Sequence, residues 1–120
     1  MLNLDTHIFI GQILGDLTDA EKRKIDSADS FCISDIVLWE LCKLVEKGRL
    51  KIDLDSPEIA EAIASVSVIP ITFEIARQSC ALDFQSDPAD QVIAATSIIK
   101  KAPLLTRDEK ILKSKMVSLA

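Results

Sequence analysis

The chain has 120 residues, a net charge of −5 and 48% apolar residues, of which few are aromatic (4% of the chain). That length and apolar content predict one domain, residues 1–120, with an aliphatic core, and exclude a disordered chain. The acidic balance excludes nucleic-acid binding through overall charge, while leaving room for a local basic rim around an acidic pocket.

Met1-Leu2-Asn3-Leu4 reads as a first strand, followed by Asp5-Thr6 and a helix from His7 that Gly15 closes. Thr18-Asp19-Ala20-Glu21 is a capping box opening a polar helix to about Ala28. Ser30 to Ser34 is a second strand, and Ser34 or Asp35 caps a strong helix to about Lys47, ended by Gly48. Ser56-Pro57 starts another helix, with proline at its first position. Val66 to Ile71 is a third strand, and Thr72 caps a helix to about Leu82. Pro88 to Lys101 is a helix apolar almost all the way round, which belongs against a sheet. Pro103 to Thr106 is a fourth strand, Glu109 to Lys115 a short charged helix, and Met116 to Leu119 a candidate fifth edge strand. Strands alternate with helices from end to end, which predicts an α/β fold with a parallel sheet of four to five strands and helices on both faces.

No apolar run is long enough to span a bilayer. The stretch from Met1 to Gly15 carries Asp5 and His7 and no basic residue, a poor signal peptide. Cys32, Cys42 and Cys80 are far apart within apolar runs, so buried free thiols in a reducing cytoplasm are expected. Trp39, the single tryptophan, is expected in the core.

The carboxylates carry the chemistry. Asp87 and Asp90 stand at the entrance of the Pro88 helix, Asp5 follows the first strand and Asp108 the fourth. In a parallel sheet, strand ends that feed helices lie along one edge, where ligands bind. Each aspartate also reads as an ordinary helix cap, and that reading stays open for each one alone. Glu40 sits among Ile36, Val37, Leu38, Trp39 and Leu41. It either pairs with Lys43 along the helix or points over the sheet edge towards Asp5. Clustered carboxylates repel unless something positive lies between them, and oxygen donors suit magnesium or manganese. The three glycines form no phosphate loop, and no serine-nucleophile signature is present. Metal-assisted hydrolysis of a phosphodiester remains the best enzymatic expectation.

These residues resemble the PIN domain family, and within it the toxin ribonucleases of VapC type. The resemblance rests on Leu4-Asp5-Thr6-His7, Ile33-Ser34 with Leu38-Trp39-Glu40-Leu41, Leu50, Ile69-Pro70-Ile71-Thr72, Asp87-Pro88-Ala89-Asp90 with Ile93-Ala94-Ala95-Thr96, and Leu104-Leu105-Thr106-Arg107-Asp108. It implies a three-layer α/β/α sandwich, Mg2+- or Mn2+-dependent cleavage of RNA, a homodimer and an antitoxin partner. It maps the family's acids, as metal-holding and catalytic residues, onto Asp5, Glu40, Asp90 and Asp108, with Asp87 as a further acid or a pure cap. Gln85-Ser86 stand where the family often has His-Arg, and Gln91 where it has arginine, which thins the positive charge near the cleft. Phosphate contact then falls to Lys43, Lys47, Arg107 and Lys110. The alternative expectation is a PIN-fold binding module that docks a protein partner without chemistry.

Overall fold

A computed structural model describes residues 1–120. In chain order its elements are β1 (Leu2–Leu4), α1 (Thr6–Leu14), α2 (Asp19–Asp26), β2 (Phe31–Ser34), α3 (Asp35–Glu46), α4 (Pro57–Ala64), β3 (Ser67–Ile69), α5 (Phe73–Ser79), α6 (Pro88–Lys100), β4 (Leu104–Leu105) and α7 (Glu109–Leu112). The four strands form one parallel sheet in the order β3-β2-β1-β4.

Successive side chains of a strand point to opposite faces, and β1 shows where those faces lead. Asn3 hydrogen-bonds into α6. Leu4, its neighbour, lines a cavity with Phe9 and Ile13 of α1, Ile25 of α2 and Ala62 of α4. The helices α3 and α5 pack on α6, so the sheet lies between two helical layers in a three-layer α/β/α sandwich. Ile8, Phe9, Ile33, Val37, Leu41, Ile93, Leu104 and Ile111 are fully buried, each burial contributing about 1.5–3 kcal/mol before entropy is counted.

Local chemistry sets the element ends. Thr18 and Glu21 form the reciprocal capping box at the start of α2. Val66 to Ile71 contracts to the three residues of β3, because Pro70 has no N–H to give to a ladder. Met116 to Leu119 does not form a fifth strand. It makes a single parallel bridge, Leu104 to Leu119, since β4 offers only two residues to extend. The helix expected to reach Leu82 stops at Ser79, and the one expected to reach Lys115 stops at Leu112.

Two burial expectations are overturned. Trp39 is 55% exposed, and of the three cysteines only Cys32 is buried, with Cys42 and Cys80 exposed. On α3 the buried pair is Val37 and Leu41, one turn apart on the face that meets the protein interior. Trp39 and Cys42 fall three residues apart on the outward side, where Trp39 shares its face with Asp35, Lys43 and Glu46. No helix is long and apolar enough to cross a membrane.

Candidate active site

The chain runs outward from β1 through β2 to β3, then returns to the other side of β1 as β4. Strand order therefore reverses between β1 and β4, which opens a crevice beyond their carboxyl ends. Asp5 leaves β1 there, and Thr106-Arg107-Asp108 leaves β4.

Asp5 is buried, 4% exposed. One of its oxygens accepts the Thr6 N–H at 2.7 Å, capping α1, and the other accepts the Thr106 hydroxyl. The Thr6 hydroxyl donates to Glu40. The Thr106 hydroxyl in turn accepts the Asp108 N–H at 3.0 Å, and the Asp108 carboxylate caps α7 through the Ile111 N–H at 3.0 Å. Glu40, Thr6, Asp5, Thr106 and Asp108 thus form one continuous hydrogen-bonded run, drawn from four elements. Glu40 does not pair with Lys43, which turns instead to Glu46 at 3.1 Å.

The entrance of α6 behaves differently. Asp87 occupies the N-cap position, but its side chain makes no capping bond and is exposed. Asp90, in the first turn, accepts the Ser86 hydroxyl at 3.0 Å. A pure capping role therefore fits Asp5 and Asp108 in part, as they cap and also enter the run, and fits Asp87 and Asp90 poorly.

Burial is the largest influence on Asp5, Glu40 and Asp90, and it pushes all three carboxyls above their ordinary range. Asp90 is raised to about 6, by burial first and then by the charges of Asp5, Asp108 and Glu40, with the Ser86 hydroxyl acting the other way. All three other acids are felt at Asp90, so the four carboxylates share one electrostatic neighbourhood. None has a cationic partner: the ion pairs of the chain are Lys43–Glu46 and Arg107–Glu21. A half-buried, all-oxygen set of acids outside any ion pair fits a hard divalent cation. No three of the side chains stand close enough together to hold an ion directly as they are placed.

Of the basic residues named from sequence, Lys43 and Lys47 line a cavity of about 200 Å3 together with Glu40, Asp87, Trp39, Leu44 and Arg49. Arg107 is engaged elsewhere: its guanidinium binds Glu21 at 2.7 and 2.8 Å and the Asp16 carbonyl at 3.1 Å. That pairing holds the Glu21 carboxyl down at about 2. Lys110 is exposed on α7. Gln85 and Gln91 line a separate cleft with Ser79, Cys80 and Asp83. The apolar cavity under Leu4, about 390 Å3, lies on the face of the sheet away from α6.

Sequence reasoning missed Thr6, Thr106 and Ser86, the hydroxyls that hold the acids, and Arg49, the third cation beside Glu40. Thr6 and Thr106 flank or directly follow strand ends next to a named acid, and that adjacency was the available signal. Ser86 offered only its spacing of four from Asp90.

Comparison with known proteins agrees with this architecture. A family model described as PIN domain matches residues 3–115. Ribonuclease VapC22 of Mycobacterium tuberculosis is 30% identical over 101 residues, spanning 79% of this chain and 75% of that protein. Among solved structures, VapBC2 from Rickettsia felis bound to a DNA fragment from its promoter superposes with a TM-score of 0.78 at 21% identity, covering 100% of this chain and 98% of that one. A toxin–antitoxin complex from Klebsiella pneumoniae gives 0.72 at 22% identity, covering 94% and 91%. FitAcB from Neisseria gonorrhoeae gives 0.70 at 19% identity, covering 99% and 96%.

Proposed function

The chain belongs to the PIN domain family and is of VapC type, and from that premise we propose that it is a divalent-metal-dependent endoribonuclease, the toxin of a type II toxin–antitoxin pair. The observation that carries this reading is the run Glu40–Thr6–Asp5–Thr106–Asp108, with Asp90 feeling its charges and none of these acids held in an ion pair.

Asp5, Glu40, Asp90 and Asp108 would hold Mg2+ or Mn2+, directly or through its waters, and Asp87 stands at the margin of the same site. A divalent cation there supplies positive charge to activate a water and to stabilise the leaving oxygen of a phosphodiester. The protein's own part is orientation. Thr6 and Thr106 fix both oxygens of Asp5 and one of Glu40, so the acids stand pre-aimed instead of splaying apart under their repulsion. Lys43, Lys47 and Arg49 beside Glu40 form the basic rim along which an RNA backbone would lie. Arg107 serves the fold through Glu21. The antitoxin partner is supported by the likeness to toxin–antitoxin complexes, and a homodimer by the exposed apolar side chains Trp39, Ile71 and Phe73. The setting would be the cytoplasm.

The test is cleavage of a panel of RNAs by purified protein with Mn2+ or Mg2+, with and without a chelator. Cleavage should require the cation and disappear in Asp5→Asn and Asp90→Asn, both still folded. Cleavage unchanged in those variants contradicts the reading. Inactivity of the wild type on every RNA, together with indifference to metal, points to the binding module instead.

A further inference from the structure

Asp5 follows β1 and Asp90 lies on α6, two separately placed elements, and something must set one against the other. Asn3 is fully buried, 0% exposed, on β1, one of the two inner strands of the sheet. Its amide nitrogen donates to the Ser97 hydroxyl at 2.8 Å and to the Ile93 carbonyl at 3.3 Å, both on α6. Its carbonyl oxygen is buried with no partner.

We propose that Asn3 is a positioning residue, a pin that fixes the register and rotation of α6 on β1 and so aims Asp90 at Asp5. The proposal rests on the ribonuclease reading of the acids. Asn3 and Asp5 are two residues apart, on the same side of the strand and about 6.6 Å apart along it. Asp90, Ile93 and Ser97 are spaced by three and four on one stripe of the helix, with Asp90 about 10.5 Å from Ser97 along the axis. Strand face and helix face therefore meet at two levels: Asn3 with Ile93 and Ser97 below, Asp5 with Asp90 at the crevice. A slip of one helical residue would turn the stripe by about 100° and carry Asp90 away from the other acids. The buried apolar contacts of α6, Ile93 and Ala94, do not by themselves prefer one helix rotation, since apolar contact is not directional. Two N–H donors aimed at two fixed acceptors do prefer one.

The unpartnered oxygen separates this role from ordinary stabilisation. A buried amide that leaves one polar atom unpaired costs stability, and an apolar side chain of similar shape avoids that cost. Asn3 is thus a poor choice for the core and a good one for direction.

The experiment compares wild type, Asn3→Leu, Ser97→Ala and the double variant by metal-free thermal unfolding and by calorimetric titration with Mn2+. Asn3→Leu should unfold at the wild-type temperature or above it, yet bind Mn2+ about tenfold or more weakly, the size found for groups that orient metal-binding side chains. Ser97→Ala should lose a smaller factor and unfold at a somewhat lower temperature, because a buried Asn3 N–H loses its closer acceptor. The double variant should be no worse than Asn3→Leu, because both act through one bond. Should Asn3→Leu not fold, Ser97→Ala decides: weakened Mn2+ binding, measured well below the variant's unfolding temperature, supports the pin. Wild-type Mn2+ affinity in the folded variants overturns the pin and leaves the acids' role intact. Absence of Mn2+ binding in the wild type overturns the reading of the acids, and the pin with it.

Discussion

The two halves of the site contrast in how their aspartates are held. At the β1–β4 crevice, Asp5 and Asp108 each cap a helix and each belong to the threonine-linked run. At the entrance of α6, Asp87 caps nothing and Asp90 holds only the Ser86 hydroxyl. The first pair therefore supports the fold and the site together, so its removal costs both. The second supports the fold little: Asp90 sits in a field of three other acids, a cost to the metal-free protein that a bound cation would offset. A carboxylate that is a liability without its ligand is better evidence for a ligand than one that already has structural work.

The sharpest way to break this contrast is to neutralise one member of each pair. Asp5→Ala should abolish RNA cleavage, at least about 10³-fold, and also destabilise by about 2–3 kcal/mol, because the Thr6 N–H and the Thr106 hydroxyl lose their acceptors. Asp90→Asn should lose activity comparably while the metal-free protein gains about 1 kcal/mol, by removing a repelled charge. Urea unfolding beside a cleavage assay reads both. Equal destabilisation in the two variants would erase the distinction.

The next effect is a pH dependence. Asp90 ionises at 3.8 in its ordinary state and at about 6 in the folded protein. Between those values the folded chain holds more proton than the unfolded one, so stability falls as pH rises through the window and levels off above it. Metal-free wild type should lose about 1–2 kcal/mol across it relative to Asp90→Asn, discounted for the partial exposure of the carboxylate. Stability curves that run parallel for the two proteins would contradict the buried, repelled Asp90.

Substitutions in the basic rim should act more weakly and on substrate alone. Lys47→Ala with Arg49→Ala should raise KM several-fold and flatten the salt dependence of RNA binding, with kcat nearly unchanged. Arg107→Gln should leave KM unchanged and cost about 1–2 kcal/mol of stability, since it removes two hydrogen bonds to the Glu21 carboxylate and one to the Asp16 carbonyl. A KM effect in Arg107→Gln would return that residue to the rim. The smallest change is expected from Asp87→Ala, within about 0.5 kcal/mol of wild-type stability, because no capping bond is lost. A loss typical of a helix cap would restore the bland reading of that residue.

Much of this was legible in the chain itself. Proline at the first position of α4 and α6, the capping box of α2 and the alternation of apolar segments placed the elements. Because parallel strands end along one edge, the acids at those ends could be grouped before any coordinates. The hydroxyls could not, since Thr6 reaches Glu40 across 34 residues and Thr106 reaches Asp5 across 101. Serine and threonine are too common for such pairings to show in sequence. Glu40 was ambiguous because Lys43 has an acid three residues away on either side, Glu40 and Glu46, and helical spacing cannot choose between them. The tertiary contact with Thr6 chose. Trp39 was misplaced because its residue type was weighed above its position: it stands four residues from Asp35 and from Lys43 and seven from Glu46, on the charged side of α3, opposite the inward line through Val37 and Leu41.

The most direct test of the central claim is calorimetric titration of Mn2+ at neutral pH into wild type, Asp5→Asn and Asp90→Asn, each verified as folded by circular dichroism. The account predicts saturable binding to the wild type, weakened about tenfold or more in both variants. Equal affinity in all three proteins, or none in any, would contradict it.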